Sequence, residues 1–326
     1  MEHIPCNLCG RDRTRLFIRK FKLDLDLVKC RGCGLVYACP RFTEQEIMKK
    51  RYTADYFNNE YLPVFQAAPD SYNMDIIRSH YHQFLSLAAP DFKPGRKLLD
   101  IGCGAGFFLK AARELGWDVE GVELSESAAS YAQKVLDLPV RQGKFENCAI
   151  PDETFDVVTL QDTIEHLAFP LQILIEVRRV LKRGGLLMLN TPDLNSLSRF
   201  FLGRAWAVLS PAEHLTYFTE KTLSRMLARA GFEALGIRNL LNFNPEYTHD
   251  KAHRRYRRWK DIHDWLSKQK IMEKIYWFEY NDLLSLNQGK SEDDRDAGSF
   301  TGLEKIIYQK AKGILRGDML VALARK

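Results

Sequence analysis

The chain has 326 residues, 45% of them apolar and 28% charged, with a net charge of +6. That length suits about two domains of ~100–200 residues, and the apolar share excludes a disordered chain. No run of ~18 apolar residues is present for a transmembrane helix, and Met1-Glu2-His3-Ile4-Pro5 lacks a secretory pattern, so a cytoplasmic protein is expected.

Four of the seven cysteines form two pairs, Cys6-x2-Cys9 and Cys30-x2-Cys33, with twenty residues between them. This is the spacing of a tetrahedral zinc site, and Gly10 and Gly34 follow the pairs where a left-handed residue turns backbone amides toward thiolates. Two disulfides or four free thiols are the alternatives, and a reducing compartment disfavours the first. A zinc ribbon over 1–40 is therefore expected, with a structural role and with Arg11, Arg13, Arg15 and Arg19 on a solvated face. Residues 41–80 carry Tyr52, Tyr56, Phe57, Tyr61 and Phe65, a density that predicts helical pieces packed over a pocket. A helix over 76–89 then leads to the first strand of a second unit, 81–326.

From Lys97 short apolar strands alternate with amphipathic helices, the signature of a parallel sheet covered on both faces. Strands are predicted at 97–101, 118–123, 139–142, 155–160, 185–190 and 233–240, with a last antiparallel strand over 317–325. Helices are predicted at 106–115, 125–136, 170–182 and 220–230, the last opened by Thr219 and closed by Gly231. Residues 242–312 read as a helical insertion broken by the polar stretch 287–298. Within it, 251–260 interleaves six basic residues with His253, Tyr256 and Trp259, which suits either a wet helix face or phosphate and base contacts.

The first strand runs into Asp100-Ile101-Gly102-Cys103-Gly104-Ala105-Gly106, a nucleotide cradle. A dinucleotide site wants a small residue where Phe107 stands, and Asp100 repels a pyrophosphate while suiting a cationic amino-acid ligand. Glu123 ends the second strand at the distance expected of a ribose-hydroxyl acceptor. With Phe155-Asp156-Val157-Val158, Glu165-His166-Leu167, the run from Arg179 to Gly185, and Thr191-Pro192 in order, the chain resembles class I S-adenosylmethionine (SAM) dependent methyltransferases. The resemblance implies a Rossmann-like, seven-stranded α/β sheet. It also implies cofactor contacts at Asp100, Gly102, Cys103, Gly104, Glu123, Leu124, Phe145, Glu146 and Gln161, with Lys144 standing where many relatives carry an acid.

Asp162, Glu165 and His166 are spaced to share one face of a helical turn, and His214 lies on a later loop. The grouping is similar to the E-x-x-E-H motif and distant histidine of the small-RNA 2′-O-methyltransferase and to its counterpart in ubiquinone-biosynthesis O-methyltransferases. By that likeness Asp162, Glu165, His166 and His214 ligate Mg²⁺ or Mn²⁺. Without metal, His166 or His214 is the general base, with His214 favoured and Glu165 beside them. The apolar cluster Phe200, Phe201, Leu202, Trp206, Val208 and Leu209 falls where an acceptor lid belongs. The expected activity is O-methylation of a small-molecule or carbohydrate acceptor. Ribose methylation of RNA, sugar C-methylation and a SAM-binding scaffold without catalysis stand as alternatives. Nothing in the sequence sets the oligomeric state.

Overall fold

The computed structural model describes residues 1–21, 25–88, 95–240, 254–268, 283, 285–288 and 317–326. The chain begins with an antiparallel meander, β1 (Thr14–Phe21), β2 (Leu25–Cys30) and β3 (Val36–Ala38). Helix α1 (Glu44–Arg51) opens on a capping box: the Thr43 hydroxyl accepts from the Glu46 amide and the Glu46 carboxylate accepts from the Thr43 amide. A helical stretch over 54–64 follows, with a π-turn at Phe57–Tyr61, and then α2 (Met74–Ala88).

The second half alternates as its apolar runs require: β4 (Lys97–Ile101), α3 (Phe107–Glu114), β5 (Asp118–Glu123), α4 (Glu126–Lys134) and β6 (Val140–Gln142). It continues through β7 (Phe155–Gln161), α5 (Pro170–Val180), β8 (Leu181–Pro192), α6 (Leu197–Leu202), β9 (Thr216–Tyr217), α7 (Glu220–Arg229) and β10 (Glu233–Leu240). Helix α8 (Arg254–Ser267) and β11 (Met319–Arg325) close the described chain. Seven strands form one sheet in the order β10-β11-β8-β7-β4-β5-β6, in which β11 runs antiparallel to both neighbours. The order reverses at β4, and the chain ends of β4 and β5 open a crevice there.

Period-two alternation distributes the core. Leu99, Ile101, Val158, Leu160, Leu187 and Leu189 pack on one face with Ile173 and Val177 of α5 and Leu223 and Met226 of α7. Leu98, Val157, Leu186 and Met188 pack on the other with Phe107 and Phe108 of α3 and Ala128 and Ala132 of α4. Thr219 caps α7, and Gly231 follows it at φ +85°. The sequence placed β8 at 185–190 and ran the preceding helix to 182, but β8 starts at Leu181. The chain leaves α5 straight into pairing with Phe155, and Lys182 to Gly185 bulge before Val157 meets Leu186.

Two further features differ from expectation. The N-terminal meander does not stand apart: β9, from far down the chain, adds as its fourth strand in the order β1-β2-β3-β9. Ile4, Cys6, Leu8, Leu35 and Tyr37 of this unit belong to the same buried cluster as α5 and α7. On α8, Trp259 is fully buried and its ring stacks 5.1 Å from Phe201 at 18°, while Arg257 and Lys260 face solvent. The indole that the basic segment offered for base stacking is therefore part of the core, with Leu202, Trp206 and Tyr217. The remainder of the 242–312 insertion, including the polar stretch expected to break it, lies outside the described residues.

Candidate active site

A cavity of about 810 Å³ opens at the carboxyl ends of β4, β5 and β7. Its floor is the turn after β4, where Gly102 and Gly104 have φ of +73° and +55°. A Cβ on Gly104 would run into the Tyr61 hydroxyl, so contact as well as backbone favours glycine there. Tyr61, from the 54–64 stretch, thus covers the turn, stacked on Phe57 at a ring distance of 5.5 Å and tilted against Phe65 at 5.3 Å.

All four consecutive amides of the turn are engaged inside the protein. Gly102 and Cys103 donate to the Val122 carbonyl at 2.8 and 3.2 Å. Gly104 donates to Glu123 at 2.8 Å, and Ala105 to the Tyr61 hydroxyl at 3.4 Å. A pyrophosphate needs such donors and finds them taken, whereas a cation facing Asp100 does not need them. Cys103 borders the cavity, but its thiol fills the space left by Gly121, where a Cβ would lie 2.7 Å from its sulfur. Asp100 is buried and accepts the Thr159 hydroxyl at 2.6 Å; burial pushes its carboxyl up to about 7.

Glu123 is equally buried and takes one backbone amide on each oxygen, from Gly104 and from Ser125 at 2.7 Å. Burial raises its pKa against those amides, and the carboxylate keeps lone pairs for two hydroxyls of a ligand. Leu124, Phe145, Glu146 and Gln161 also border the cavity, Phe145 and Glu146 from a 3-10 turn after β6. The Gln161 amide nitrogen is buried with no hydrogen-bond partner among the described residues, in a residue that borders the cavity. Lys144 pairs with Glu44 of α1, which brings α1 over the same edge. That pair joins residues a hundred positions apart, and no local motif announces it.

At the other end, the residues expected to share a helical turn do not. Asp162 sits at φ +45°, outside any helix, and its carboxylate accepts the Asn190 side-chain amide at 3.2 Å. The four-ligand set therefore contracts to three: donor atoms of Glu165, His166 and His214 lie within 4.8 Å of one another, without Asp162. The imidazoles meet edge to face at 4.6 Å. His166 Nδ1 is 2.9 Å from the Glu213 carbonyl and His214 Nδ1 2.8 Å from the Val208 carbonyl. A carbonyl only accepts, so each Nδ1 carries a proton, and in the neutral ring the lone pair falls on Nε2. His166 borders the cavity; His214 packs behind it. Glu165 accepts the Thr191 hydroxyl at 2.9 Å, and burial together with the Asp162 charge pushes its carboxyl up to about 8.

The four ribbon cysteines are unbridged, with all sulfurs within 4.8 Å and the pairs Cys6–Cys33 and Cys9–Cys30 at 3.4 and 3.5 Å. A tetrahedron with Zn–S bonds of ~2.3 Å has edges of about 3.8 Å, so the cluster fits the ion with a small expansion. Gly10 and Gly34 take φ of +72° and +84°. Burial opposes ionisation of Cys30, yet the amides of Cys33 and Gly32 outweigh it and hold the thiol at about 7.

A doubly wound sheet that pairs Asp100 and Glu123 across its first two strand ends, beneath a cavity without free turn amides, is built to hold a nucleoside with a cationic tail. The chain belongs to the class I SAM-dependent methyltransferases: residues 74–236 match a methyltransferase domain family. Ubiquinone biosynthesis O-methyltransferases of Cereibacter sphaeroides and Roseobacter denitrificans are 32% and 31% identical to it over 170 residues, 49% of this chain and 68% of each relative. A SAM-dependent methyltransferase structure from Archaeoglobus fulgidus superposes with a TM-score of 0.51 and 19% identity, covering 82% of this chain and 100% of that one, which reflects the shared fold. Among the described residues no helix is long and apolar enough to cross a membrane.

Proposed function

We propose that the chain methylates a hydroxyl oxygen of a small molecule, with His166 as the general base. The observation that carries this reading is His166 on the wall of the cavity that Asp100 and Glu123 also line, with its Nδ1–H bonded to the Glu213 carbonyl so that the neutral ring offers Nε2 as base. Bound SAM supplies an electrophilic methyl group on a sulfonium. Asp100 would hold its ammonium, Glu123 its ribose hydroxyls, Phe145 and Glu146 its adenine, and Gln161 an acceptor oxygen or carboxylate nearby. Imidazole Nε2 takes the hydroxyl proton as oxygen forms its bond to the methyl carbon and the carbon–sulfur bond breaks. Positioning supplies much of the rate. His214 then orients His166 from behind instead of serving as the base itself.

The curated relatives' name supports oxygen as the methylated atom. Leu167, Phe169, Ile173 and Leu215 give the cavity apolar walls that suit an acceptor with an apolar body. Methyl-labelled SAM, incubated with extract split into small-molecule, lipid, carbohydrate and nucleic-acid pools, should label the small-molecule pool as an ether. Label confined to RNA or carbohydrate overturns the acceptor class, and a His166→Gln variant with full turnover removes the base. A second reading places a divalent ion on Glu165, His166 and His214, favoured by their closeness. Turnover that needs added Mg²⁺ or Mn²⁺, and falls with Glu165→Gln, would establish it.

A further inference from the structure

The acceptor half of the cavity hangs on one loop. Its Glu213 carbonyl fixes the His166 ring, and its Leu215 and Thr216 amides both donate to the Glu165 carbonyl, at 2.8 and 3.1 Å. The opposite edge of that loop belongs to the cysteine unit. The Ala38 amide donates to the Leu215 carbonyl at 3.0 Å, Tyr37 pairs with Thr216, and Val36 pairs with Tyr217.

The path from those pairs back to the sulfurs is short. The Cys30 amide donates to the Leu35 carbonyl at 2.8 Å, one residue before β3, so the second cysteine knuckle and β3 are one rigid piece. Arg225 of α7, the helix after β9, donates to the Cys33 carbonyl at 3.1 Å. From the first knuckle, Asn7 donates to the Ala168 carbonyl at 2.8 Å, and buried Arg41 donates to the same oxygen at 2.7 Å. Ala168 lies two residues past His166. Both sequence segments that carry the histidines are therefore bonded to the unit that the cysteines close.

We infer that metal held by Cys6, Cys9, Cys30 and Cys33 positions the catalytic histidines, acting through β3 and the Leu215–Thr216 loop, so that the ribbon is a working part of the acceptor site. Without the ion no coordinate bond ties the two knuckles together, and only the Cys6–Cys33 and Cys9–Cys30 thiol contacts are left between their sulfurs. β3 then loses its fixed end, and the loop loses the register that aims the Glu213 carbonyl at His166. None of the hydrogen bonds of this path runs to β4 or β5, which carry the cofactor half. The inference rests on the proposed role of His166.

The test uses the full chain, zinc-loaded and then stripped with a chelator, and a Cys33→Ser variant prepared without one. Amide hydrogen exchange is followed at Leu215 and Thr216, with β4 and β7 amides as the reference, and SAM affinity is measured calorimetrically. Stripping should speed exchange at 215 and 216 at least tenfold while β4, β7 and SAM affinity stay within twofold, and Zn²⁺ should restore protection. With an active acceptor, kcat should fall at least tenfold at unchanged KM for SAM. Unchanged protection at 215 and 216 overturns the inference. So does equal loss of protection in β4 and β7, because the ion is then a staple for the whole fold. The exchange measurement needs no acceptor, so a protein that shows the pattern but transfers no methyl retires the functional reading and leaves the coupling standing.

Discussion

Asp100 offers the sharpest test of the cofactor site. It is 2% exposed, its one described partner is the Thr159 hydroxyl, and burial lifts its carboxyl from 3.8 to about 7. At about 1.4 kcal/mol per pH unit, holding the ionised form above pH 7 costs the fold on the order of 4 kcal/mol. The native chain keeps a proton that the unfolded chain releases, so this contribution to stability falls as pH rises from about 4 to about 7. An ammonium placed on the carboxylate reverses the preference, and binding SAM must then expel the proton. A value of about 7 predicts release of about 0.9 proton per SAM at pH 6, about half at pH 7 and about 0.1 at pH 8. Calorimetry in two buffers of different ionisation enthalpy reads that number directly. Asp100→Asn should abolish the release, weaken SAM binding at least tenfold, and raise the melting temperature at pH 8 more than at pH 4. Binding without proton release at pH 6, or native affinity in the variant, refutes the assignment.

Gly104→Ala should destabilise the chain by about 1–3 kcal/mol and weaken SAM binding, because φ of +55° and the Tyr61 hydroxyl both oppose a Cβ. Thermal melts should show part of that loss recovered in a Tyr61→Ala background. Trp259→Ala should cost about 3–5 kcal/mol in urea unfolding and leave oligonucleotide binding at low salt unchanged, since the indole is buried. Elemental analysis should find one zinc per chain, lost in Cys30→Ser and shed progressively in acid, where protons compete with the metal for the four thiolates.

Much of the fold was legible because the evidence for it is local. Short apolar runs marked β4, β5 and β7, and Thr219 and Gly231 bracketed α7. The turn after β4 was legible for the same reason: Gly102 and Gly104 take positive φ, and Asp100 and Glu123 stand at the strand ends beside it. The acceptor end was not. Asp162 looked like a partner of Glu165 by spacing, but its left-handed backbone and its bond to Asn190, 28 residues away, take it out of the cluster. His214 looked the better base because it lies on a loop, yet its bond to Val208 and its packing set it behind His166. The ribbon read as a separate unit because its missing strand, β9, has two residues and no periodicity to detect.

Completion of that N-terminal sheet by β9 also governs the order in which the chain can assemble during synthesis. Tyr37 leaves the ribosome well before its partner Thr216, nearly 180 residues later, an interval of roughly 10–40 s at ~5–20 residues per second. Throughout it β3 presents an open edge to any other nascent strand. Early capture of zinc by the two knuckles would give the waiting segment a shape of its own, and expression under zinc limitation should divert the protein to aggregates.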